Sequence, residues 1–264
     1  MNTNIPKRIY YCWFGGNPIP EFAQSCIATW KKHCPDYEIV EINENNFDLD
    51  CCRYVKEAYE AGKWAFVSDV ARLHALVNNG GIYLDTDVEL KKSFDELLTN
   101  EAVCSFESAD SICTAVMMCK KDHPLFSEML KGYNDSVFIK PDGTYDTTTN
   151  VSRLTALCQK YGMVSNNSIQ VVNHVLLLTS EYFSPKNFFT KKISATENTV
   201  AIHHFDGSWI SDEDKCAMDL AQKNQRFLPK KFAGYYAKFI AIKRYRGIKA
   251  SIKETIRWLQ GRRR

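Results

Sequence analysis

The segment WAFVSDVARLHALVNNGGIYLDTDV, residues 64–88, places a helical pattern directly before a strand pattern. Its first sixteen residues repeat apolar side chains at the spacing of one helix face, and Gly80 is a typical residue to end such a helix. The apolar run at residues 82–84 is typical of a buried strand. Two carboxylates, Asp85 and Asp87, follow at once. Like charges this close repel each other, and a half-buried carboxylate without a partner is costly, so the pair requires an explanation.

Strand and helix patterns alternate on both sides of this segment. Strand patterns occur at residues 5–14, 37–42, 101–106, 112–119, 169–172 and 199–205. Helical patterns occur at residues 20–34, 50–62, after Pro124, at 151–161 and from about residue 212 to the end, with breaks at Pro229 and Gly247. Strands that alternate with helices predict an α/β fold with a mostly parallel sheet flanked by helices.

The bulk properties exclude several classes of protein. A chain of 264 residues that is 45% hydrophobic can build one large α/β domain, or a domain with an appendage. It has neither an apolar run of membrane-spanning length nor the apolar core of a signal peptide at its N-terminus. The ten cysteines form no CxxC pair, and several lie in apolar runs. We therefore expect a cytoplasmic protein with reduced cysteines.

Charge divides the chain into an acidic body and a basic tail. Residues 223–264 carry 14 Lys and Arg against one acid, whereas residues 1–222 carry 20 basic and 30 acidic side chains. Two apolar stripes run through the predicted tail helices, namely Phe232, Tyr235, Tyr236, Phe239 and Ile240, and then Ile248, Ile252, Ile256 and Leu259. The pattern predicts a helix on an anionic membrane surface, although the first stripe could also pack on the body. A nucleic-acid partner is not expected, because no recognisable nucleic-acid-binding module is present.

Three interpretations of Asp85 and Asp87 fit their position. The pair could cap a turn or pair with surface lysines, as is usual for an isolated DxD. A place at the end of a buried strand, where open α/β sheets bind ligands, favours instead a site for Mg²⁺ or Mn²⁺ that cancels the repulsion. The alternative is a phosphatase of the haloacid-dehalogenase type with Asp85 as nucleophile. That class needs the motif near the N-terminus and a later acidic pair in a Gly-rich turn, which this sequence lacks.

Three blocks of the sequence match a known family. They are IPKRIYYCWFGG at residues 5–16, AFVSDVARLHALVNNGGIYLDTDV at residues 65–88 and AIHHFDGSW at residues 201–209, and they frame about three quarters of the chain. The blocks resemble the DxD glycosyltransferases of family 32, which include fungal mannosyltransferases and many bacterial capsule or lipopolysaccharide enzymes. They are similar, more distantly, to the catalytic domain of large glucosylating toxins. The resemblance implies a GT-A type, Rossmann-like catalytic domain over residues 1–222, followed by the basic amphipathic tail at 223–264.

The resemblance also implies roles for residues of the central segment. Asp87 would bind the metal directly, and Asp85 would contact the metal or the ribose and sugar of the donor. Asp69 and Arg72 would share one face of the helix and hydrogen-bond the donor sugar, beside Ser68. The alternative is an ion pair on a solvated helix face. It is disfavoured because the apolar residues of this helix place it against the core.

The other two blocks supply further donor and metal residues. Trp13 would flank the nucleotide base, and Gly15 would let the backbone approach the donor. His204 fits an HxxG pattern in which the histidine is a metal ligand, which would favour Mn²⁺ over Mg²⁺. His203 would face the other side of a strand and is interpreted as structural.

Three more residues are assigned to donor binding. Ser208 and Trp209 would close over the diphosphate. Asn150 lies where the family places polar residues near the anomeric carbon, and it fits equally well as the N-cap of the predicted helix at 151–161.

The resemblance therefore implies a metal-dependent, retaining glycosyltransferase. It would move a hexose from a nucleotide sugar, with a UDP-sugar favoured, to a glycan or lipid-linked acceptor of a surface polysaccharide. No carboxylate nucleophile stands out, so front-face transfer is the mechanistic hypothesis, with Asp85, Asp87 and His204 holding the metal against the departing diphosphate. We expect the enzyme to lie peripherally on the inner face of the cytoplasmic membrane.

Overall fold

The described chain comprises residues 4–188, 190–207, 212–224 and 227–261 of a computed structural model, with nine strands and eight helices. The strands are β1 (Arg8–Cys12), β2 (Glu38–Ile42), β3 (Gly81–Leu84), β4 (Val88–Leu90), β5 (Ala102–Ser105), β6 (Val116–Cys119), β7 (Gln170–Val172), β8 (Val175–Leu178) and β9 (Ala201–His203). The helices are α1 (Glu21–His33), α2 (Arg53–Glu60), α3 (Trp64–Asn79), α4 (Pro124–Asn134), α5 (Asn150–Lys160), α6 (Asp212–Asn224), α7 (Lys230–Arg246) and α8 (Ile248–Gly261).

Seven strands form one sheet in the order β2-β1-β3-β6-β5-β8-β7. β2, β1 and β3 run parallel to one another, as do β5 and β8, whereas β6 and β7 are antiparallel to their neighbours. Five of the seven strands therefore point in the same direction. This arrangement confirms the predicted α/β class with a mostly parallel sheet between helices.

Alternating side chains of the central strand separate two hydrophobic cores. In β3, Tyr83 belongs to the core formed with α2, α3, α4 and α5, whereas Ile82 and Leu84 belong to the core formed with α1 and β4. Trp30 of α1 is fully buried, and its Nε1 donates a hydrogen bond to the carbonyl oxygen of Val88 at 2.6 Å. This bond fixes α1 against β4, directly after the carboxylate pair.

The pattern of residues 81–88 predicts one continuous strand, but the structure interrupts it at the carboxylate pair. β3 ends at Leu84, and β4 begins at Val88 and pairs with β9 in a separate two-stranded sheet. Between them the amide of Val88 donates to the carbonyl oxygen of Asp85 at 3.0 Å, which closes a tight turn. The turn therefore holds both carboxylates at the carboxyl end of β3, where the parallel neighbour β1 also ends.

The chain forms two compact units, Met1–Asp206 and Gly207–Arg264. The second unit contains α6, α7 and α8, which confirms the predicted C-terminal helical extension. The buried face of α7 is a row of alanines, Ala233, Ala237 and Ala241, whereas its aromatic residues Phe232 and Tyr236 are exposed. Among the described residues, no helix is both long and apolar enough to cross a bilayer. The division into a catalytic domain over 1–222 and a tail over 223–264 stays a prediction.

Candidate active site

The turn after β3 brings the two aspartates together with a histidine at the end of β9. One oxygen of Asp85, one oxygen of Asp87 and one ring nitrogen of His203 all lie within 4.8 Å of one another. The His203 Nε2 atom is 3.6 Å from Asp87 Oδ1. Two carboxylates and one imidazole form a set of oxygen and nitrogen ligands that suits Mn²⁺, and with less preference Mg²⁺.

The environment of His203 favours positive charge. Burial by itself lowers the pKa of His203, but the neighbouring Cys113 thiol and the Asp87 and Asp85 carboxylates raise that pKa to about 9. The Nδ1 atom is buried and has no hydrogen-bond partner among the described residues; the nearest carboxylate, that of Glu107, is 3.8 Å away. A divalent cation would supply the same positive charge that a protonated imidazole supplies, so the residues present fit a metal site.

The structure places His203, and not the expected His204, beside the aspartates. β9 pairs with β4 so that His203 lies opposite Val88, next to the turn. The His204 ring instead contacts Glu89, at 2.9 Å from Nε2, and Lys186, at 3.3 Å from Nδ1. Strand alternation correctly separates the two histidines, but the register of β9 on β4 decides which of them reaches the site, and the sequence does not encode that register locally.

Arg72 of α3 connects the aspartate turn to the helix. Its Nη2 lies 3.2 Å from Asp85 Oδ1 and 3.3 Å from Asp69 Oδ1. Its Nη1 donates to the carbonyl oxygen of Thr114 at 2.8 Å, and its guanidinium lies over the Tyr83 ring, 4.2 Å from the centroid. Arg72 is 6% exposed and Asp69 8%, so the alternative of an ion pair on a solvated face is wrong.

Asn150 joins the same network through Asp69. Its backbone amide donates to Asp69 Oδ2 at 3.2 Å, its Nδ2 donates to the Asp69 carbonyl oxygen at 2.7 Å, and its Oδ1 accepts from the Tyr133 hydroxyl at 2.7 Å. Burial raises the pKa of Asp69 to about 6, while the Arg72 charge and the Asn150 amide act in the opposite direction. Thr149, rather than Asn150, is the N-cap of α5, so the capping interpretation of Asn150 is wrong.

The remaining predicted donor residues lie near the carboxyl end of β1 and in α3. Trp13 follows β1 directly and is half-buried, and its Nε1 donates to a backbone carbonyl four residues later at 2.6 Å. The amide of Gly15 donates a hydrogen bond to the Glu44 carboxylate at 2.6 Å. The φ of Gly15 is +92°, and a Cβ atom on Gly15 would lie 2.6 Å from the Trp64 indole nitrogen, so only glycine fits at this position. The Ser68 hydroxyl donates to the Trp64 carbonyl oxygen at 3.0 Å. Two predicted residues lie outside the described part of the chain, Ser208 and Trp209.

Two residues of the site were not predicted from the sequence. The Tyr83 hydroxyl donates to Asp85 Oδ1 at 2.9 Å, which orients that carboxylate. Glu107 follows β5 and faces His203, and burial raises the pKa of its carboxyl group. An acid directly after a strand pattern is the signal that identified the aspartate pair, and it would have identified Glu107 as well. The sequence does not single out Tyr83, because its ring also belongs to the hydrophobic core, as expected for an aromatic residue in an apolar strand.

Comparison with known proteins adds one family and several relatives. A family model described as "Capsular polysaccharide synthesis protein" matches residues 1–190. "Subversion of eukaryotic traffic protein A" from Legionella pneumophila is 22% identical over 169 residues, which cover 52% of this chain and 26% of that protein. "Inositol phosphoceramide mannosyltransferase 3" from Schizosaccharomyces pombe is 31% identical over 143 residues, which cover 50% of this chain and 38% of that protein. This chain therefore spans well under half the length of both curated relatives.

Among solved structures, the one described as "PaToxG Glycosyltransferase" is similar at a TM-score of 0.46 and 19% sequence identity. The match covers 59% of this chain and 69% of that one.

Proposed function

Since this chain belongs to the family of capsular polysaccharide synthesis proteins, we propose that it is a metal-dependent glycosyltransferase of surface polysaccharide synthesis. It moves a hexose from a nucleotide sugar, with a UDP-sugar favoured, to a glycan or lipid-linked acceptor. The observation that carries the proposal is the group of Asp85, Asp87 and His203 at the carboxyl end of β3. The name of the S. pombe relative, a mannosyltransferase, supports sugar transfer as the reaction class.

The proposal assigns a role to each residue around the aspartate turn. Asp85, Asp87 and His203 hold Mn²⁺ or Mg²⁺, which when bound neutralises charge on the departing nucleoside diphosphate. Arg72 fixes the position of Asp85 and, with Asp69, presents hydrogen-bonding groups to the donor sugar. The Asp69 and Arg72 side chains are buried, and contacts within the protein hold them in place before any ligand binds. Little reorganisation is therefore needed when the donor binds.

We propose that the anomeric configuration is retained by front-face transfer. A double displacement by Asp69 would need a free carboxylate, but Asp69 is held by Asn150 and Arg72. The leaving phosphate then takes the proton of the acceptor. NMR of the first sugar anomer released from the donor tests retention, and an inverted anomer would contradict it.

The phosphatase alternative needs Asp85 as a nucleophile. Its Oδ1 accepts a hydrogen bond from the Tyr83 hydroxyl and faces Arg72. Both contacts stabilise the carboxylate and lower its nucleophilicity, and the family match also speaks for the transferase.

A thermal-shift panel of UDP- and GDP-sugars, with and without Mn²⁺, tests donor binding. The proposal expects one nucleotide sugar to stabilise the protein, and to do so only with the metal. Hydrolysis of a generic phosphomonoester, without a response to any nucleotide, would favour the phosphatase.

Replacing Glu107 by Gln is expected to weaken Mn²⁺ binding about 10- to 100-fold. The Glu107 carboxylate faces Nδ1 of His203, so it can accept that N–H and hold the ring with Nε2 toward the metal. Electron paramagnetic resonance of free Mn²⁺ measures the affinity in the presence of UDP. The exposed Glu96→Gln variant is the matched control, and equal Mn²⁺ affinity in both variants would remove Glu107 from the site.

We also propose that the C-terminal unit binds an anionic membrane surface, which would keep the enzyme peripheral on the inner face of the membrane. On α8, Ile248, Ile252 and Ile256 recur every four residues and are each nearly half exposed. Residues 223–264 also carry 14 basic side chains against one acid. Exposed apolar residues with surrounding positive charge are typical of interfacial helices.

Replacing these three isoleucines by Ser in the full chain is expected to lower binding to phosphatidylserine vesicles at least about ten-fold, because the apolar contact with the lipid is lost. Vesicle sedimentation measures the binding. The control variant carries Ser at three exposed apolar positions of the first unit, Val164, Ile169 and Val171. Equal sedimentation of both variants and the unchanged protein would refute the membrane proposal.

A further inference from the structure

A pocket lies directly beside the aspartate turn, within the first unit. It has a volume of about 320 Å³ and is lined by Phe22, Lys186, Lys191, His204, Phe205 and Asp206. The Asp206 amide donates to Asp87 Oδ2 at 2.8 Å, and the His204 amide donates to the Asp87 carbonyl oxygen at 3.0 Å. The wall of this pocket is therefore joined to the proposed metal ligand by two hydrogen bonds.

The two lysines of the pocket are presented by one short loop. The amide of Asn187 donates to the Lys192 carbonyl oxygen, and the amide of Lys191 donates to the Asn187 carbonyl oxygen, both at 2.9 Å. The loop is anchored because the Phe188 ring packs edge-on against Phe205, with centroids 5.3 Å apart. These contacts stabilise the loop from which Lys186 and Lys191 line the pocket.

Neither lysine has an anionic partner in the described part of the chain. Neither ammonium group has an ion-pair partner within 4.0 Å there, and the Lys186 ammonium group lies 3.3 Å from the His204 Nδ1 atom. Burial and the charge of Lys186 lower the pKa of Lys191, and the Asp206 carboxylate acts in the opposite direction. Two unpaired cations against a single lining carboxylate, Asp206, give the pocket an excess of positive charge.

We propose that this pocket binds the acceptor through an anionic group, a phosphate or a carboxylate carried on the acceptor sugar. This inference rests on the proposed transferase function. Lys186 and Lys191 supply charge-assisted hydrogen bonds to the anion. Phe22, which is 42% exposed, and Phe205 supply ring faces on which the C–H face of a sugar can pack. The two hydrogen bonds to Asp87 would place such a sugar beside the proposed metal ligands.

Ligand-observed NMR on the full chain, saturated with UDP and Mn²⁺, tests the pocket. The probes are a hexose 1-phosphate, a hexuronate and the neutral methyl hexoside. We expect at least one anionic probe to bind and the neutral probe to bind more weakly. The combined variant Lys186→Met and Lys191→Met is expected to lose about ten-fold or more in affinity for the anionic probe. The Kd of UDP with Mn²⁺ should change less than about two-fold. Lys192→Met, which removes a neighbouring charge outside the pocket, should change neither.

The outcomes separate this proposal from the one on which it rests. Unchanged affinity of the double variant for the anionic probes, or no binding of either anionic probe, would overturn the acceptor pocket while UDP binding stands. A double variant that loses UDP instead would assign the lysines to the donor diphosphate and also overturn it. If the protein binds no nucleotide but binds an anionic probe through the two lysines, the anion-binding pocket is supported and the transferase function is refuted.

Discussion

Replacing Asp87 by Asn is expected to abolish metal-dependent release of the nucleoside diphosphate, with a loss of about a thousand-fold or more. Asp87 contributes a carboxylate oxygen to the group it forms with Asp85 and His203. Asn keeps the size and an acceptor for the Asp206 amide, but it removes the negative charge that a divalent cation requires. The substitution relieves the repulsion between the two aspartates but removes the attraction between Asp87 and His203, so its two effects on the unfolding temperature without metal oppose each other.

Release of UDP, coupled to a colorimetric assay, measures the activity of this variant, and Mn²⁺ titration measures its metal affinity. Asp135→Asn, at an exposed position after α4, removes the same charge away from the site and should behave like the unchanged protein. Full metal-dependent activity of Asp87→Asn would refute the assignment of the aspartate turn.

Replacing Arg72 by Met is expected to destabilise the protein by about 3–5 kcal/mol and to abolish activity. The guanidinium lies between the Asp69 and Asp85 carboxylates and hydrogen-bonds the Thr114 carbonyl oxygen. Without it, the buried Asp69 carboxylate loses its ion-pair partner and keeps only the weaker influence of Arg153, and the cost of that poorly compensated charge exceeds the packing that Met restores. Urea denaturation monitored by circular dichroism measures the loss.

The double variant Arg72→Met and Asp69→Asn separates the two effects. It removes the uncompensated charge, so a large part of the stability should return, while activity should stay absent because the donor-facing groups are gone. If Arg72→Met costs less than about 1 kcal/mol, or if the double variant is no more stable than the single one, the buried pair does not act as described.

The central helix and strand could be predicted from the sequence nearly to the residue. α3 spans the predicted 64–79, because its apolar stripe is continuous and Gly80 adopts a φ of +68° that ends the helix. β8 was not predicted from the sequence. Its four residues are all apolar, and without alternation between polar and apolar residues a buried strand cannot be distinguished from a helix segment. The strand at 81–88 was predicted too long, because the turn at the carboxylates depends on hydrogen bonds from distant residues. Trp30 of α1 donates to the Val88 carbonyl oxygen, and the amides of His204 and Asp206 donate to Asp87.

The site could be predicted where short-range spacing determines it. Asp69 and Arg72 on α3, and Asp85 and Asp87 after β3, lie in one segment, and the structure brings three of these four, Asp69, Arg72 and Asp85, into one ion-pair network. His203 could not be chosen over His204, because the pairing of β9 with β4 joins residues more than a hundred positions apart. The lysine pocket depends on the same long-range contacts and has no local sequence pattern.

The relation to capsule enzymes is confirmed at the level of the family, since the model for capsular polysaccharide synthesis proteins matches residues 1–190. The roles of the individual site residues stay predictions that the substitutions above address. They depend on one physical argument: Asp85, Asp87 and His203 lie close together, and the carboxylates beside the His203 ring favour positive charge there, which a divalent cation would supply.

The most direct test of the central claim is the release of UDP from UDP-sugars by the purified protein, measured with and without Mn²⁺. The proposal predicts slow release from one UDP-sugar that depends on the metal, is absent in Asp87→Asn and is accelerated by an acceptor. Release that is independent of metal and unaffected by Asp87→Asn would contradict it. So would turnover of a phosphomonoester by a protein that binds no nucleotide sugar.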